Sequence, residues 1–238
     1  MRVDPSALPD RETLRRIAAD EAVVYRLDPR GPAKVQRFDE STGGFYKLVP
    51  TTGAPTIEIS GVRMHRTKGV TPWPDTEAKL ATIRPVVGRV LDTTTGLGYT
   101  AILAARTAEH VLTIERDPVV AAIAAENPWS RELFESPRIE RRIGDATEVV
   151  PTLPAASFDR VVHDPPTIAL AGELYGLAFY EELLRVLRPG GRLFHYTGAP
   201  GRSRGRDLPG RVAARLRKAG FDRVRLCPEA LGVSAAVP

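Results

Sequence analysis

The sequence predicts an α/β fold: a doubly wound, mostly parallel seven-stranded sheet preceded by a small α+β appendage. Three observations carry this expectation. From Arg89 onward, short β-branched runs alternate with helical stretches, the rhythm of strands joined by crossover helices in a sheet covered on both faces. Several of those runs end in a carboxylate just before a helix begins. The first 70 residues break the rhythm, with short apolar pieces separated by Gly/Pro turns.

In chain order, Glu12 to Glu21 carries a helical pattern. Val23–Tyr25, Phe45–Val49 and Thr56–Ile59 read as short strands of an appendage spanning 1–70. A joint near Gly69 to Pro74 leads to the main domain, 71–238, through Pro72-Trp73-Pro74-Asp75-Thr76 and a helix over Glu77 to Ile83. Arg89–Asp92 is a buried strand, Tyr99–Thr107 an alanine-rich helix, and His110–Glu115 a second strand. Asp117 then caps a helix over Pro118–Glu126. Arg138–Arg142 and Phe158–His163 are the third and fourth strands, the latter followed by a long helix from Ala171 to Leu187. Arg188-Pro189-Gly190-Gly191 turns into a fifth strand, Arg192–Tyr196. A helix over Arg211–Ala219 and strands over Asp222–Cys227 and Gly232–Val237 complete the pattern.

The composition excludes several classes. With 238 residues, 42% hydrophobic and 26% charged, the chain is too apolar for a disordered protein. It is also long enough to bury on the order of 70% of its unfolded surface without disulfides. Cys227 is the sole cysteine, so no internal disulfide is possible. His65, His110, His163 and His195 show no metal-ligand spacing, and no metal is expected. The charged start lacks a secretion signal, and no apolar run approaches about 18 residues, so no membrane span and a cytoplasmic location are expected. The net charge is +5, and 29 of the 34 basic residues are arginine, a permanently charged fork suited to phosphate. Asn127 and Gln36 are the only side-chain amides, a depletion expected of a thermophile.

The chemistry centres on Asp92-Thr93-Thr94-Thr95-Gly96-Leu97-Gly98-Tyr99-Thr100. A strand delivers a carboxylate at its C-terminal edge, and a loop with two glycines turns into a helix. Small residues there let the backbone approach a ligand above the strand ends. Strand two ends in Glu115, 23 residues after Asp92, where a carboxylate can accept both hydroxyls of a ribose. Gly144-Asp145-Ala146 follows strand three, placed to read an adenine edge, and strand four ends in His163-Asp164-Pro165-Pro166.

With these motifs the chain resembles the class I S-adenosylmethionine-dependent methyltransferases, with their Rossmann-like fold, over roughly Thr71 to Pro238. Arg185-Val186-Leu187-Arg188-Pro189-Gly190-Gly191-Arg192-Leu193 is similar to that family's entry into its fifth strand. TTTGLGYTAI, NPWSRELF, HDPP and AGELY are most similar to an archaeal branch of predicted methyltransferases. The resemblance implies S-adenosyl-L-methionine as cofactor. The turn carrying Asp92, Thr93, Thr94, Gly96, Gly98, Tyr99 and Thr100 would hold its methionine part. Glu115, with Arg116 beside it, would bind the ribose, and Asp145 with Ala146 the adenine. One departure stands out: the family usually has glycine where this chain has Thr94.

The acid-Pro-Pro run resembles the Asp/Asn-Pro-Pro-aromatic motif of methyltransferases that modify exocyclic or amide nitrogens, which makes Asp164, Pro165 and Pro166 the catalytic candidates. The lone pair of a nucleobase amino group is delocalised into its ring. Acceptors at Asp164 and the Pro165 carbonyl can hold both N–H groups and align the nitrogen for direct in-line transfer. Thr167 replaces the motif's aromatic, so Trp73, Tyr175, Phe179 or Tyr180 must supply any stacking, Phe179 being better suited to core. His163 and His195 end adjacent strands, and His163 is a second candidate for substrate positioning. Pyrimidine C5 methylation needs a cysteine nucleophile, and Cys227 reads instead as a buried structural residue.

The segment Gly201–Lys218 carries seven basic residues against one acid. Its Arg202, Arg204 and Arg206 suit phosphates, with Arg63, His65, Arg66 and Lys68 extending the track. The expected partner is RNA, with ribosomal RNA and the N4 amine of cytidine as the specific target; a paired base would have to be flipped out. The alternatives are a small-molecule or protein methyltransferase, an aminopropyltransferase-like enzyme with an acidic pocket, or a catalytically silent RNA-binding module.

Overall fold

The computed structural model describes residues 9–28, 30–198 and 207–238. In chain order the elements are α1 (Arg11–Ala18), β1 (Tyr25–Asp28), β2 (Gly31–Lys34), β3 (Gln36–Asp39), β4 (Gly44–Val49), β5 (Thr56–Ile59) and β6 (Val62–Arg63). Next come α2 (Pro72–Ala81), β7 (Arg89–Asp92), α3 (Tyr99–Ala105), β8 (His110–Glu115), α4 (Pro118–Glu126), α5 (Arg131–Glu135) and β9 (Ile139–Ile143). The chain closes with α6 (Ala146–Thr152), β10 (Phe158–His163), α7 (Leu177–Val186), β11 (Leu187–Tyr196), α8 (Leu208–Lys218), β12 (Asp222–Cys227) and β13 (Gly232–Ala236).

The main sheet has seven strands in the order β12-β13-β11-β10-β7-β8-β9. Only β13 runs against its neighbours; the other pairs are parallel. A parallel sheet must be apolar on both faces, and successive strand residues point to opposite sides. The adjacent pairs Val90/Leu91, Val111/Leu112, Val162/Val161 and Phe194/Leu193 obey this. The first member of each pair joins the core beneath α2, α3, α4 and α5, and the second joins the core beneath α6, α7 and α8. After β9 the chain returns to β10 on the far side of β7, so the strand order reverses between β7 and β10. The crevice over the carboxyl ends of these two strands is where ligands enter such sheets.

The N-terminal region forms a β1–β2 hairpin and a four-stranded antiparallel sheet, β3-β4-β5-β6. Its inner face buries Tyr46, Leu48 and Ile57 in the first of the two cores. Its outer face leaves the cross-strand pair Phe38 and Phe45 exposed. Polar links fasten it to the main sheet's helices. Arg26 and Arg37 both pair with Glu126 at the end of α4, and the Tyr99 hydroxyl donates to the Pro55 carbonyl at 2.8 Å.

Several element boundaries differ from those expected. Helix α2 starts at Pro72, not Glu77, because the first turn of a helix leaves its N–H groups unused and so accepts both prolines. The stretch from Ala171 is not one helix: a 3-10 turn over Gly172–Tyr175 precedes α7, and extended backbone at Gly176 separates them. Leu187 already pairs with Phe158, and a register shift before the Arg160–Arg192 pair absorbs the Arg188–Gly191 turn into β11. β1 lies two residues later than expected, and β2, β3, β6, α5 and α6 lacked a legible pattern.

Candidate active site

A cavity of about 730 Å³ opens over the carboxyl ends of β7, β8, β9 and β10, with the inner face of the N-terminal sheet as its other wall. The strand ends and their following loops contribute Thr93, Thr94, Thr95, Gly96, Tyr99 and Thr100, then Glu115 and Arg116, Asp145 and Ala146, and Asp164, Pro165 and Pro166. The opposite wall brings Tyr46, Ile57, Ile59 and Met64. Most of the residues singled out by sequence therefore share one crevice.

The loop after β7 is shaped by its two glycines in different ways. Gly96 has φ +54° with open space where a Cβ would stand. That conformation suits glycine, and it aims the Gly96 N–H at Glu115 Oε2, 2.8 Å away. Gly98, at φ +78°, opens α3, and a Cβ there would lie 2.5 Å from Leu133. Gly98 thus admits α5 against the loop and does not itself line the cavity.

Asp92 lies beneath the loop, fully buried. Its Oδ2 accepts from the Thr113 hydroxyl at 2.9 Å, while Oδ1 has no hydrogen-bond partner among the described residues. Burial pushes its carboxyl up to about 8, opposed by the Thr113 hydroxyl and reinforced by the nearby Asp164 charge. Each Glu115 oxygen accepts one backbone N–H, from Gly96 and from Asp117 at 2.9 Å. Burial raises its carboxyl, and these N–H groups only partly offset it. A carboxylate oxygen accepts more than one hydrogen bond, so Glu115 keeps capacity for hydroxyl donors. Asp145 caps α6 by accepting from the Thr147 N–H and hydroxyl, and its other oxygen is 3.5 Å from Arg116 Nη1. Burial would raise the Asp145 carboxyl, but these partners hold it below its ordinary value.

The Asp164-Pro165-Pro166 loop after β10 is fastened from two sides. The Thr94 hydroxyl donates to the Asp164 carbonyl at 2.8 Å, and the Tyr175 hydroxyl donates to the Pro166 carbonyl at 2.9 Å. The Asp164 side chain meets a partner that sequence reasoning missed: Lys79 Nζ on α2, 2.7 Å from Oδ2. Lys79 is buried and also pairs with Asp75 at 2.9 Å. Burial alone would lower its ammonium, yet the two carboxylates hold it above the usual lysine range. A lone lysine in an amphipathic helix looks like a solvated charge in the sequence. The signal that could have found it is the i, i+4 spacing of Asp75 and Lys79.

The structure corrects three of the proposed substrate contacts. His163 is buried, with Nδ1 2.7 Å from the Thr93 hydroxyl and Nε2 2.9 Å from the Leu174 carbonyl. The carbonyl accepts, so Nε2 carries the proton and Nδ1 takes the threonine's, and burial lowers the imidazole to about 4. Trp73 packs edge-on against Tyr99 and beside Trp129, away from the cavity. Tyr175 is buried with its ring beside His195, and its role is to hold the Pro166 carbonyl. Each is an aromatic drawn into packing that spacing alone could not exclude. Cys227 is half-buried on the edge strand β12, with Sγ 3.4 Å from Ser234 Oγ, and is not the buried residue expected. Arg202, Arg204 and Arg206 lie outside the described residues. Among the described residues, no helix is long and apolar enough to cross a membrane.

Comparison with known proteins adds the family. The Methyltransferase domain family matches residues 91–195. An uncharacterized protein of Methanocaldococcus jannaschii is 49% identical over 229 residues, covering 95% of this chain and 78% of that protein. Release factor glutamine methyltransferase of Cereibacter sphaeroides is 31% identical over 271 aligned positions, covering 99% of this chain and 93% of that protein. Among solved structures, spermidine synthase from Thermotoga maritima superposes with a TM-score of 0.64 at 16% identity, over 85% of this chain and 71% of that one, a likeness of fold.

Proposed function

The chain belongs to the class I S-adenosylmethionine-dependent methyltransferases, and from that premise we propose that it methylates a planar nitrogen of RNA, the N4 amine of cytidine in ribosomal RNA. The observation that carries this reading is the position of Asp164, Pro165 and Pro166 on the same cavity as Gly96, Glu115 and Asp145.

The residues present fit S-adenosylmethionine. The glycine turn leaves open space at Gly96, the buried Asp92 keeps an unpartnered oxygen beneath the loop, and Glu115 retains acceptor capacity. When bound, the cofactor supplies an electrophilic methyl on a sulfonium. The chain's own part is binding and alignment. Glu115 would take the ribose hydroxyls and Asp145 the adenine edge. At the acceptor side, Asp164 Oδ1 and the Pro165 carbonyl would accept the two N–H groups of an amino nitrogen, favouring the geometry in which its lone pair points along the attack line. Asp164 need only orient the amine and receive a proton after transfer, so no covalent enzyme intermediate is formed.

At the acceptor side, the Asp164 carboxylate is paired with Lys79, so its charge is balanced without a polyamine cation. An RNA acceptor is further supported by the basic run Gly201–Lys218, whose seven cations face one acid in sequence.

Tritiated methyl transfer to total RNA, ribosomal subunits, protein extract and polyamines tests the reading. Labelled ribosomal RNA that digests to a methylated cytidine is the expected result. Label confined to protein or to polyamine would overturn the RNA assignment.

A further inference from the structure

Lys79 is given no contact with cofactor or acceptor, although its surroundings are specific. The side chain is 3% exposed, with Nζ 2.7 Å from Asp164 Oδ2, 2.9 Å from Asp75 Oδ2 and 4.2 Å from the centroid of the Tyr196 ring. The second oxygen of Asp75 is 3.5 Å from Arg66 Nη1. A chain of alternating charges, Arg66–Asp75–Lys79–Asp164, therefore runs from the segment after β6 through α2 to the acceptor loop. Stability alone does not explain it, because an apolar side chain at a buried position serves packing as well as or better than a buried ion pair.

The geometry at Asp164 does explain it. The Thr94 hydroxyl fixes the loop's backbone at the Asp164 carbonyl, and Lys79 fixes the side chain through Oδ2. The remaining oxygen, Oδ1, has no protein partner among the described residues. We propose that Lys79 is a positioning residue for the acceptor: it turns the Asp164 carboxylate so that a single oxygen is offered to the incoming nitrogen beside the Pro165 carbonyl. An unclamped carboxylate would rotate about its last side-chain bond and present either oxygen in several directions. Asp75 and the Tyr196 ring seat the ammonium, and Arg66 holds Asp75 in turn. The proposal rests on the reading of Asp164 as the acceptor residue.

Lysine side-chain 15N NMR tests the pairing without any acceptor. The chain has five lysines. One Nζ signal should be protected from solvent exchange, disappear in Lys79→Met and shift in Asp164→Asn. Kinetics on whichever acceptor pool the wild type labels tests the consequence. Lys79→Met should lower kcat tenfold to a hundredfold while leaving cofactor affinity within threefold. Lys79→Arg should recover part of the loss, and Lys79→Met/Asp164→Asn should be no slower than Asp164→Asn alone. If Lys79→Met does not fold, Lys79→Met/Asp75→Asn removes both buried charges and takes its place. Wild-type kcat in Lys79→Met, or independent losses that multiply in the double variant, would overturn the proposal. An Nζ signal indifferent to Asp164→Asn, with Asp164→Ala inactive, overturns the pairing alone. Wild-type kcat in Asp164→Ala instead removes the acceptor reading of Asp164, and the positioning role with it.

Discussion

Tyr46 donates its phenol hydroxyl to Asp117 Oδ2 at 2.7 Å, joining the inner face of the N-terminal sheet to the residue that caps α4. The same Asp117 gives its N–H to Glu115, so the sheet touches the proposed ribose-binding carboxylate through one intermediary. Tyr46→Phe removes a hydrogen bond to a charged group, worth about 1.5–3 kcal/mol, while keeping the ring in the core. Calorimetry should show S-adenosylmethionine affinity reduced about threefold to tenfold; unchanged affinity would mean that the sheet packs on the site without supporting it.

Asp164→Ala should abolish methyl transfer, because the loop loses the carboxylate oxygen proposed to hold the acceptor. Cofactor affinity should stay near the wild-type value, since the Thr94 contact is to the Asp164 backbone. Equal loss of binding and turnover would assign the residue to the cofactor.

Asp92 gives the unliganded protein a specific pH dependence. Its folded carboxyl titrates near 8, far above its ordinary 3.8, so between those values the folded state holds a proton that the unfolded chain has released. Its contribution is full below about pH 4 and is lost as pH rises through 8. Asp92→Asn, which mimics the protonated form, should therefore melt higher than wild type by a margin that widens between about pH 4 and 8 and is constant above that. On the acid side the sign reverses: burial lowers His65 to about 3 and His163 to about 4, so wild-type stability should fall as pH drops below about 6.5. Melting curves read both limbs, and a variant–wild-type gap independent of pH would contradict the Asp92 account.

Gly98→Ala places a Cβ 2.5 Å from Leu133 at a positive φ. Overpacking costs about 1–3 kcal/mol and the left-handed backbone about 1–2 kcal/mol more. Leu133→Ala should relieve the clash but not the backbone strain, so in the Leu133→Ala background the substitution should cost less than in wild type and still more than zero. Equal costs in both backgrounds would exclude the contact as the cause.

Replacing Arg202, Arg204 and Arg206 together by alanine should weaken RNA binding and flatten its salt dependence by a slope of about three, one per released phosphate contact. An unchanged slope would take the basic run out of the RNA track.

The legible parts of this fold are those where one local pattern suffices. Arg89–Asp92, His110–Glu115 and Phe158–His163 are apolar runs buried on both sides, bounded by a cap or a turn, and the structure begins and ends them where the pattern does. Gly-Pro-Ala-Lys and Gln-Arg-Phe-Asp carry no alternation, so β2 and β3 follow from their pairing partners and not from their own side chains. Gly176 interrupts a helical periodicity that spans it on both sides. At the site, the carboxylates at strand ends were readable because the fold fixes where strand ends go. Lys79 and Tyr46 were not, because each acquires its role from a partner 85 or 71 residues away.

Thr93 donates its N–H to the Val162 carbonyl and Thr94 its hydroxyl to the Asp164 carbonyl, stitching the proposed cofactor loop to the proposed acceptor loop at two successive rungs. The span a methyl group crosses is consequently set by the spacing of two neighbouring strands, a dimension the main sheet holds rigid. New acceptor preferences must then arise from the opposite wall, where Ile57, Ile59 and Met64 can change size without disturbing either rung.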